Sequence, residues 1–275
     1  MKHEFEIACN ATEAAGKLLL QFYDSDYTIE DKGPSPMYDR DSNPVTEADY
    51  AADTFLKRSL LGEFPDYGWL SEETADSADR LSKERVWVVD PLDGTKEFIE
   101  RKPMWVVSVA LVEDHIPVVG VLYNPLTEEM FTAARGEGAQ LNGAPVACST
   151  KKYPAEMVIL NSRTETKNGL WKPYSSAFKE LKGVGSVAYK LGLTAAKRAD
   201  VFATFRPKNE WDVCAGHCIV NEAGGVLLDL NGNEITYNNK NTLITPGLVA
   251  GNAEAVRNTL AVLNAEVAGD AEISA

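Results

Sequence analysis

The segment VWVVDPLDGTKEFIE, residues 86–100, carries two aspartates directly after an apolar run. The apolar run predicts a buried strand, and Pro91 and Gly94 predict a turn, after which GTKEFIE can begin a helix. This turn exposes Asp90 and Asp93 beside free backbone amides. Carboxylate oxygens suit a hard divalent cation such as Mg²⁺, and amides at a helix N-terminus accept an anion. The alternative is that Asp93 only caps the helix and Asp90 only ends the strand.

Three other acidic positions favour a shared site. Asp49 lies in NPVTEAD at the first turn of a predicted helix, and Asp212 lies in NEWDVCAGH at the start of another. Each could simply stabilise its helix N-terminus, by about 0.3–1 kcal/mol. Glu72 and Glu73, in WLSEET, could form a solvated acidic loop. Each ordinary explanation is sufficient alone, but together the four positions indicate one carboxylate cluster.

The charge of the chain restricts its partners. Its 41 acidic and 27 basic residues give a formal charge of −14, which disfavours polymeric nucleic acid. A bound divalent cation can invert the local charge and admit a small phosphorylated substrate. The amphipathic N-terminus is unlike a signal peptide, and no apolar run approaches the roughly 20 residues of a membrane span. With four cysteines in no disulfide-like pattern, we expect a cytoplasmic protein without membrane association.

Hydrophobic periodicity and turn signals predict a chain of mixed helices and strands. A second helix is capped by Thr46 and runs to Phe64, and NG within residues 135–146 predicts a tight hairpin. Cys214, His217 and Cys218 fall within one helix and complete no zinc site, so they indicate core packing. The other predicted helices cover residues 4–22, 186–198, 211–222 and 253–263, and one more begins at about residue 170. The predicted strands cover residues 86–89, 105–111, 117–123, 129–134, 157–160, 200–203, 226–228 and 248–250.

Four blocks of the chain, NPVTEAD, SEET, DPLDGTKEF and EWDVCAGHCIVNEAGG, resemble the signature blocks of the inositol monophosphatase superfamily of Mg²⁺-dependent, lithium-sensitive phosphatases. The blocks run from about Asp49 to Gly225. The resemblance implies an α+β fold, a layered αβαβα sandwich of the sugar phosphatase type shared by inositol monophosphatase and fructose-1,6-bisphosphatase. Residues 1–150 would form an N-terminal half with most metal ligands, and residues 151–275 a C-terminal α/β half that supplies Asp212 and the substrate side. The active site would lie between the halves, and homodimers are common in this superfamily.

Carried over position by position, the resemblance implies a role for each site residue. Two or three Mg²⁺ ions would be bound at one site, with Li⁺ as an inhibitor. Thr95, linked to Asp49, would orient and activate the attacking water, and the amides of Gly94 and Thr95 would hold the phosphate. Gly185 and Ser186 resemble the substrate-side turn. The implied metal ligands are Glu72, Asp90, Asp93, Asp212 and the carbonyl of Leu92, with Asp90 bridging two ions.

The letters KEF, residues 96–98, resemble the 3'(2'),5'-bisphosphate nucleotidase branch, whereas inositol monophosphatases usually continue TNF. The resemblance therefore implies removal of the 3'-phosphate of adenosine 3',5'-bisphosphate, giving AMP and phosphate. The stretch 205–212 departs from the nucleotidase pattern because it lacks a glycine-containing loop. Arg206 and Lys208 could meet a second phosphate or form a solvated basic loop. The alternatives are an inositol or sugar monophosphatase and, more remotely, a non-catalytic regulatory protein on the same fold.

Overall fold

A computed structural model describes residues 1–33 and 43–273, with side chains as far as residue 265. Twelve α-helices and β-strands precede residue 150 in the described ranges, and eleven follow it. The first twelve are α1 (Lys2–Tyr23), β1 (Ile29–Asp31), β2 (Pro44–Thr46), α2 (Glu47–Glu63), β3 (Gly68–Ser71), β4 (Arg85–Asp93), α3 (Thr95–Ile99), β5 (Val106–Glu113), β6 (Ile116–Asn124), β7 (Glu129–Ala134), β8 (Ala139–Leu141) and β9 (Ala144–Val146). The others are β10 (Val158–Ser162), α4 (Arg163–Lys167), β11 (Glu180–Val184), α5 (Val187–Ala195), β12 (Val201–Thr204), β13 (Lys208–Asn209), α6 (Glu210–Glu222), β14 (Val226–Asp229), β15 (Leu243–Ile244), β16 (Leu248–Gly251) and α7 (Ala253–Ile273).

Two large sheets and three helical layers alternate. Strands β3 to β9 form a seven-stranded sheet in chain order, and a five-stranded sheet has the order β11-β10-β12-β16-β14. Helices α1 and α2 cover one face of the larger sheet, and α5 and α6 lie between the two sheets. Helix α7 packs on the outer face of the smaller sheet. The fold is therefore the layered αβαβα sandwich that the family resemblance implied.

Strand β4 has helices packed on both faces of its sheet. Val86 and Val88 pack in the core that contains α5 and α6, whereas Trp87 and Val89 pack in the core beneath α1 and α2. Successive side chains of a strand point to opposite faces, so a strand covered on both faces is apolar throughout. The uninterrupted apolar run of β4 thus has a direct structural explanation.

Most predicted elements are confirmed, including α1, the Thr46 cap of α2, the β5–β7 meander and the Asn142–Gly143 hairpin turn. Cys214 and Cys218 are buried and unpaired, in agreement with core packing. His217 is also buried, and its Nδ1 lies 2.9 Å from the hydroxyl of Tyr237.

The structure corrects three expectations. Strand β4 continues through Asp93, because pairing with β5 resumes after an irregularity between Asp90 and Asp93. The α-helix expected from about residue 170 is wrong, because only a single 3₁₀ turn, Lys172–Tyr174, lies there. Helix α4 ends earlier, where Gly169 takes a φ of +80°, and β11 follows instead. This strand lies at a sheet edge with little apolar alternation, so no periodic signal marks it. Helix α7 extends to Ile273, beyond the expected end at residue 263.

The charged stretch of residues 24–43, which contains glycine and proline, predicts a short hairpin or a mobile loop. Strands β1 and β2 pair antiparallel, which favours the hairpin. Residues 34–42 of this prediction lie outside the described residues. No helix in the described ranges has both the length and the apolarity to cross a bilayer. The division of the chain near residue 150 stays a prediction.

Gly120 of β6 sets how closely α6 approaches the larger sheet. A Cβ at this position would clash with the carbonyl oxygen of Ala215 and lie 2.9 Å from the Cβ of Cys218. We expect Gly120→Ala to destabilise the fold by about 1–3 kcal/mol, because overpacking forces the helix and sheet apart. Chemical denaturation measures this change.

The matched control is Gly62→Ala in α2, where an added Cβ meets nothing within 4 Å. Gly62 is exposed, so alanine should stabilise the helix by about 0.4–1 kcal/mol. Equal effects of the two substitutions would contradict the close approach of α6 at Gly120.

Candidate active site

The irregular end of β4 turns two carboxylates into a cleft. Asp90 lies opposite Ser108 of β5, Asp93 lies opposite Val106, and the register shifts between them. The amide of Leu92 donates to Oδ1 of Asp90 at 3.0 Å, which closes a tight turn. Both aspartates are buried and both line the cleft. The local sequence therefore fixes this part of the site.

Three elements bring together the acidic cluster, which consists of Glu72, Asp90 and Asp212. Glu72 follows β3, Asp90 lies in β4, and Asp212 lies in the first turn of α6. One carboxylate oxygen from each lies within 4.8 Å of the others. Burial and the neighbouring carboxylates raise the pKa of Asp90 and of Asp212. Such a set of oxygen donors fits a divalent cation such as Mg²⁺, which would offset the mutual repulsion.

Asp93 lies beside this cluster and also binds the C-terminal half. Its Oδ2 accepts hydrogen bonds of 2.6 Å from the hydroxyl of Ser186 and from the amide of Ala188. Burial raises the pKa of Asp93 to about 6, although these two hydrogen bonds lower it. The alternative that Asp93 only caps α3 is wrong, because its carboxylate meets the start of α5. Oδ1 remains available to a cation.

Asp49 and Thr95 form a hydrogen-bonded pair at the cleft. Oδ2 of Asp49 accepts from the amide of Thr46 at 2.8 Å, as a helix-capping residue does. Its Oδ1 accepts from the hydroxyl of Thr95 at 3.0 Å. Burial raises the pKa of Asp49 to about 6, against the lowering effect of Thr46. Both interpretations of Asp49, as a cap and as a site residue, therefore agree with its contacts.

Gly94 allows β4 to turn directly into α3. Its φ is +106°, and a Cβ would lie 2.9 Å from the carbonyl oxygen of Met104 and 3.0 Å from the Cβ of Trp105. Any side chain would therefore be strained and crowded. Gly94, Thr95 and Leu92 all line the cleft. The hydroxyl of Thr95 also lies 3.2 Å from the carbonyl of Leu92, so its single proton serves either Leu92 or Asp49.

The Glu72–Glu73 pair is not a solvated loop. The side chain of Glu73 is 3% exposed and that of Glu72 is 24% exposed. Asp53 of α2 accepts hydrogen bonds from the hydroxyls of Ser71 and Thr74, which lie on either side of the pair. The backbone of the acidic pair is thus held in place from both ends.

Lys32 is a site-proximal residue that sequence reasoning missed. Its Nζ lies 3.1 Å from Glu72 and 2.5 Å from Glu73. Burial lowers the pKa of Lys32, but the two glutamates outweigh burial and raise it. Burial and Glu72 raise the pKa of Glu73 to about 7, despite Lys32. No local pattern identifies Lys32, because its partners lie 40 and 41 residues further along the chain.

The opposite side of the cleft is built from the C-terminal half and from α3. Gly185 and Ser186 line it, as the resemblance implied. Arg206 is not among the lining residues, and its amide donates to Glu165 at 3.0 Å. The cationic residues that line the cleft are Lys96, Arg163, Lys190 and Lys208.

Arg163 of α4 and Glu97 of α3 join their helices across the cleft. Arg163 forms ion pairs with Glu97 and, at 2.7 Å, with Glu100. A Cβ on Gly185 would overlap the carboxyl group of Glu97. Arg163 and Lys190 had no sequence signal of function: Arg163 meets Glu97 only through the tertiary fold, and no motif marks the local contacts of Lys190.

The cleft therefore combines a carboxylate cluster suited to cations with a cationic wall, the arrangement of a metal-dependent enzyme that acts on a small phosphorylated molecule. Residues 1–266 match the model of the Inositol monophosphatase family, and the chain belongs to this family of phosphatases. It is 34% identical over 246 residues to "Inositol monophosphatase 2" of Solanum lycopersicum, covering 85% of this chain and 90% of that protein. It is also 34% identical over 248 residues to "3'(2'),5'-bisphosphate nucleotidase CysQ" of Salmonella typhimurium, covering 88% and 97%.

A solved structure supports the same conclusion about the fold. The extragenic suppressor protein suhB from Bartonella henselae superposes with a TM-score of 0.81 at 28% identity. The match covers 94% of this chain and 97% of that chain. The family and the layered fold are thus established by sequence and by structure.

The raised pKa values predict how stability depends on pH. Asp49 and Asp93 rise from an ordinary value of 3.8 to about 6, so without metal the folded chain holds more protons than the unfolded chain in this window. Asp49 and Asp93 therefore lower the free energy of unfolding of the metal-free protein as the pH rises from about 4 through about 6. Cation binding requires ionised ligands, so Mg²⁺ should raise the Tm more at about pH 8 than at about pH 5. Thermal melts with EDTA and with Mg²⁺ measure this difference.

The variant Asp90→Asn supplies the control. It removes one charge from the cluster, so the metal-free variant should melt above the wild type at about pH 8, by about 2–4 °C for each kcal/mol gained. Its response to Mg²⁺ should shrink. An equal Mg²⁺ effect at both pH values, in wild type and variant alike, would contradict a cation site at the cluster.

Proposed function

We propose that this chain is a Mg²⁺-dependent phosphomonoesterase that removes the 3'-phosphate of adenosine 3',5'-bisphosphate to give AMP and phosphate. The observation that carries the proposal is the cluster of half-buried Glu72 with buried Asp90 and Asp212, whose ligand oxygens lie within 4.8 Å of one another, in a cleft that cationic groups also line. We further propose that the protein acts in the cytoplasm and that Li⁺ inhibits it.

Five groups would hold two or three Mg²⁺ ions at the end of β4. When bound, Mg²⁺ supplies positive charge that polarises the phosphoryl group and lowers the pKa of water. The buried carboxylates suit this role because they offer negatively charged oxygens that lack enough cationic partners in the described part of the chain. The proposed ligands are Glu72, Asp90, Asp93, Asp212 and the carbonyl of Leu92.

Thr95 and Asp49 would position the attacking water. The hydroxyl of Thr95 donates to Asp49, so its oxygen lone pairs can accept a hydrogen bond from the water. With a pKa of about 6, Asp49 is ionised above that pH and can draw the proton of Thr95. The amides of Gly94 and Thr95, at the start of α3, would donate to the phosphate oxygens. No covalent intermediate is needed.

Lys208 supports a substrate with a second phosphate. It is buried at the cleft wall, and its Nζ donates to the carbonyl of Pro207 at 2.9 Å. Among the described residues, no carboxylate lies within the 4.0 Å of an ion pair with this ammonium group. Burial lowers the pKa of Lys208, although the nearby charge of Asp212 raises it, and a second substrate phosphate would stabilise the buried ammonium group. We therefore assign the second-phosphate contact to Lys208 in preference to Arg206.

The main alternative is an inositol or sugar monophosphatase, because the tomato inositol monophosphatase is as similar to this chain as CysQ is. A monophosphate carries no second anion for Lys208, and the letters KEF also favour the nucleotidase reading. A non-catalytic regulatory protein is the remote alternative. It is disfavoured because Asp49, Thr95 and the acidic cluster are all retained.

A substrate panel tests the proposed activity. Phosphate release should be fastest from adenosine 3',5'-bisphosphate, compared with inositol 1-phosphate and fructose 1,6-bisphosphate, and should require Mg²⁺. Li⁺ should inhibit it. The variant Asp93→Asn should lose turnover while remaining folded by circular dichroism. Faster release from an inositol or sugar phosphate would overturn the substrate assignment, and full turnover by Asp93→Asn would overturn the metal site.

Lys208→Met tests the second-phosphate contact. We expect its KM for adenosine 3',5'-bisphosphate to rise about 10-fold or more, since a hydrogen bond to a charged group contributes about 1.5–3 kcal/mol. Its KM for adenosine 3'-monophosphate should not change, because that molecule lacks the 5'-phosphate. Steady-state kinetics on the two substrates separate these effects.

Lys182→Met is the control, because Lys182 is an exposed lysine of β11 that does not line the cleft. It should leave both KM values unchanged. If Lys208→Met raised both KM values equally, Lys208 would serve the scissile phosphate and the proposed contact would be wrong.

A further inference from the structure

Lys190 is a buried lysine whose ammonium group is fully used by the protein backbone. Its Nζ donates to three consecutive carbonyls, those of Val184 at 2.9 Å, Gly185 at 3.3 Å and Ser186 at 2.7 Å. An ammonium group has three donors, so these contacts satisfy all of them. Among the described residues, no carboxylate forms an ion pair with Lys190. Although Lys190 lines the cleft, it has no donor left for a substrate.

The three carbonyls belong to a turn that is strained. Ser186 has a φ of +52°, a left-handed backbone value that is unfavourable for a residue with a side chain. The carbonyl oxygens of residues 184–186 also converge, and their partial negative charges repel one another. The ammonium of Lys190 between them turns this repulsion into attraction. Lys190 therefore stabilises a backbone conformation that the turn would not favour by itself.

The same turn determines where the carboxylate of Asp93 lies. The hydroxyl of Ser186 accepts from the amide of Tyr189 at 2.9 Å and donates to Oδ2 of Asp93 at 2.6 Å. The amide of Ala188 donates to the same oxygen at 2.6 Å. Both donors to Asp93 are thus fixed by the backbone conformation at Ser186. A continuous set of contacts runs from Lys190 through this turn to Asp93.

We propose that Lys190 is a positioning residue for the metal-binding end of the cleft: it holds the turn of residues 184–186 in the conformation that orients Asp93 toward Mg²⁺. The inference rests on the proposed role of Asp93 as a metal ligand. Groups that orient a ligand from behind contribute strongly to metal affinity, and their loss costs about 10–100-fold. Lys190 lies 97 positions after Asp93 in the chain and belongs to no local motif, so only the contacts of the folded chain reveal this role.

Lys190→Met tests the proposal, because methionine keeps an unbranched apolar chain and removes the three donors. We expect the Kd for Mg²⁺, measured by titration calorimetry without substrate, to rise about 10–100-fold. The Mg²⁺ concentration for half-maximal phosphate release should rise by a similar factor. KM for the substrate at saturating Mg²⁺ should not change. A higher KM with an unchanged Kd for Mg²⁺ would overturn the proposal in favour of a substrate contact.

Thr194→Val is the matched control on the same helix. Thr194 is fully buried, and its hydroxyl donates to the carbonyl of Lys190 at 2.8 Å, away from the turn. Loss of that hydrogen bond should lower the Tm, yet leave the Kd for Mg²⁺ at the wild-type value. If Thr194→Val weakened Mg²⁺ binding as much as Lys190→Met, Lys190 would have only a general structural role and the proposal would fail.

A double-mutant cycle tests whether Lys190 acts through Ser186. Ser186→Ala removes the hydroxyl that donates to Asp93, so it should also weaken Mg²⁺ binding. The combination of Lys190→Met with Ser186→Ala should weaken binding little beyond the larger single effect. Independent, multiplied effects would overturn the proposed route. If Lys190→Met does not fold, Lys190→Gln replaces it, because glutamine retains amide donors. The Kd of Lys190→Gln for Mg²⁺ should lie above the wild-type value. A Kd equal to the wild-type value would overturn the proposal.

Asp93→Asn distinguishes failure of this inference from failure of the proposed site. Unchanged Mg²⁺ binding by Asp93→Asn would overturn both the ligand role of Asp93 and the role of Lys190. Weakened binding by Asp93→Asn, together with wild-type binding by Lys190→Met, would overturn only the inference about Lys190.

Discussion

The site is governed by one electrostatic constraint: the fold places several carboxylates close together, and their negative charges repel one another. Glu72, Asp90 and Asp212 come from three different elements, and burial and their mutual charge raise the pKa of Asp90 and of Asp212. Such a cluster opposes folding unless cations or protons neutralise it. Lys32 neutralises part of the charge at Glu72 and Glu73. The remaining negative charge makes the end of β4 suited to a divalent cation.

The sequence is sufficient to predict the parts of the site that depend on local structure. Asp90, Gly94 and Thr95 lie within one strand–turn–helix segment, and Asp49 and Asp212 lie in first turns of helices with recognisable caps. Their chemistry follows from residue type and position along an element. Periodicity predicted most helices and the β5–β7 meander, whereas the layered arrangement of these elements came from the family resemblance. Resemblance to a family added the roles that local patterns left open.

The sequence is insufficient where a contact joins distant segments. Lys32 meets Glu73 at a sequence separation of 41, and Arg163 meets Glu97 at a separation of 66, so no spacing rule marks either pair. Lys190 has a local partner in Ser186, but its importance depends on the distant Asp93. Strand β11 was missed for a related reason, because an exposed edge strand has no need of alternating apolar residues.

Residues 96–98, KEF, make contacts in the folded chain that the sequence alone does not show. Lys96 lines the cleft, and Phe98 packs edge-on against Trp105 in the core. Glu97 lies in the space that a side chain at Gly185 would fill, and it pairs with Arg163. The glutamate therefore requires a glycine at position 185. A motif at the start of α3 thus restricts the turn of residues 184–186 before α5.

Three carboxylates serve a helix and the cleft at the same time. One oxygen of Asp49, Asp93 and Asp212 accepts from the amide of Thr46, Ala188 and Asn209, respectively, at the starts of α2, α5 and α6. A capping contact contributes only about 1 kcal/mol, which is small beside the cost of crowding buried like charges. Capping therefore matters here mainly for geometry, because it fixes the direction of each carboxylate's second oxygen. Asparagine can keep the capping oxygen while removing the charge, whereas alanine removes both. Asparagine variants at these positions consequently separate the orientation of a helix from the binding of a cation.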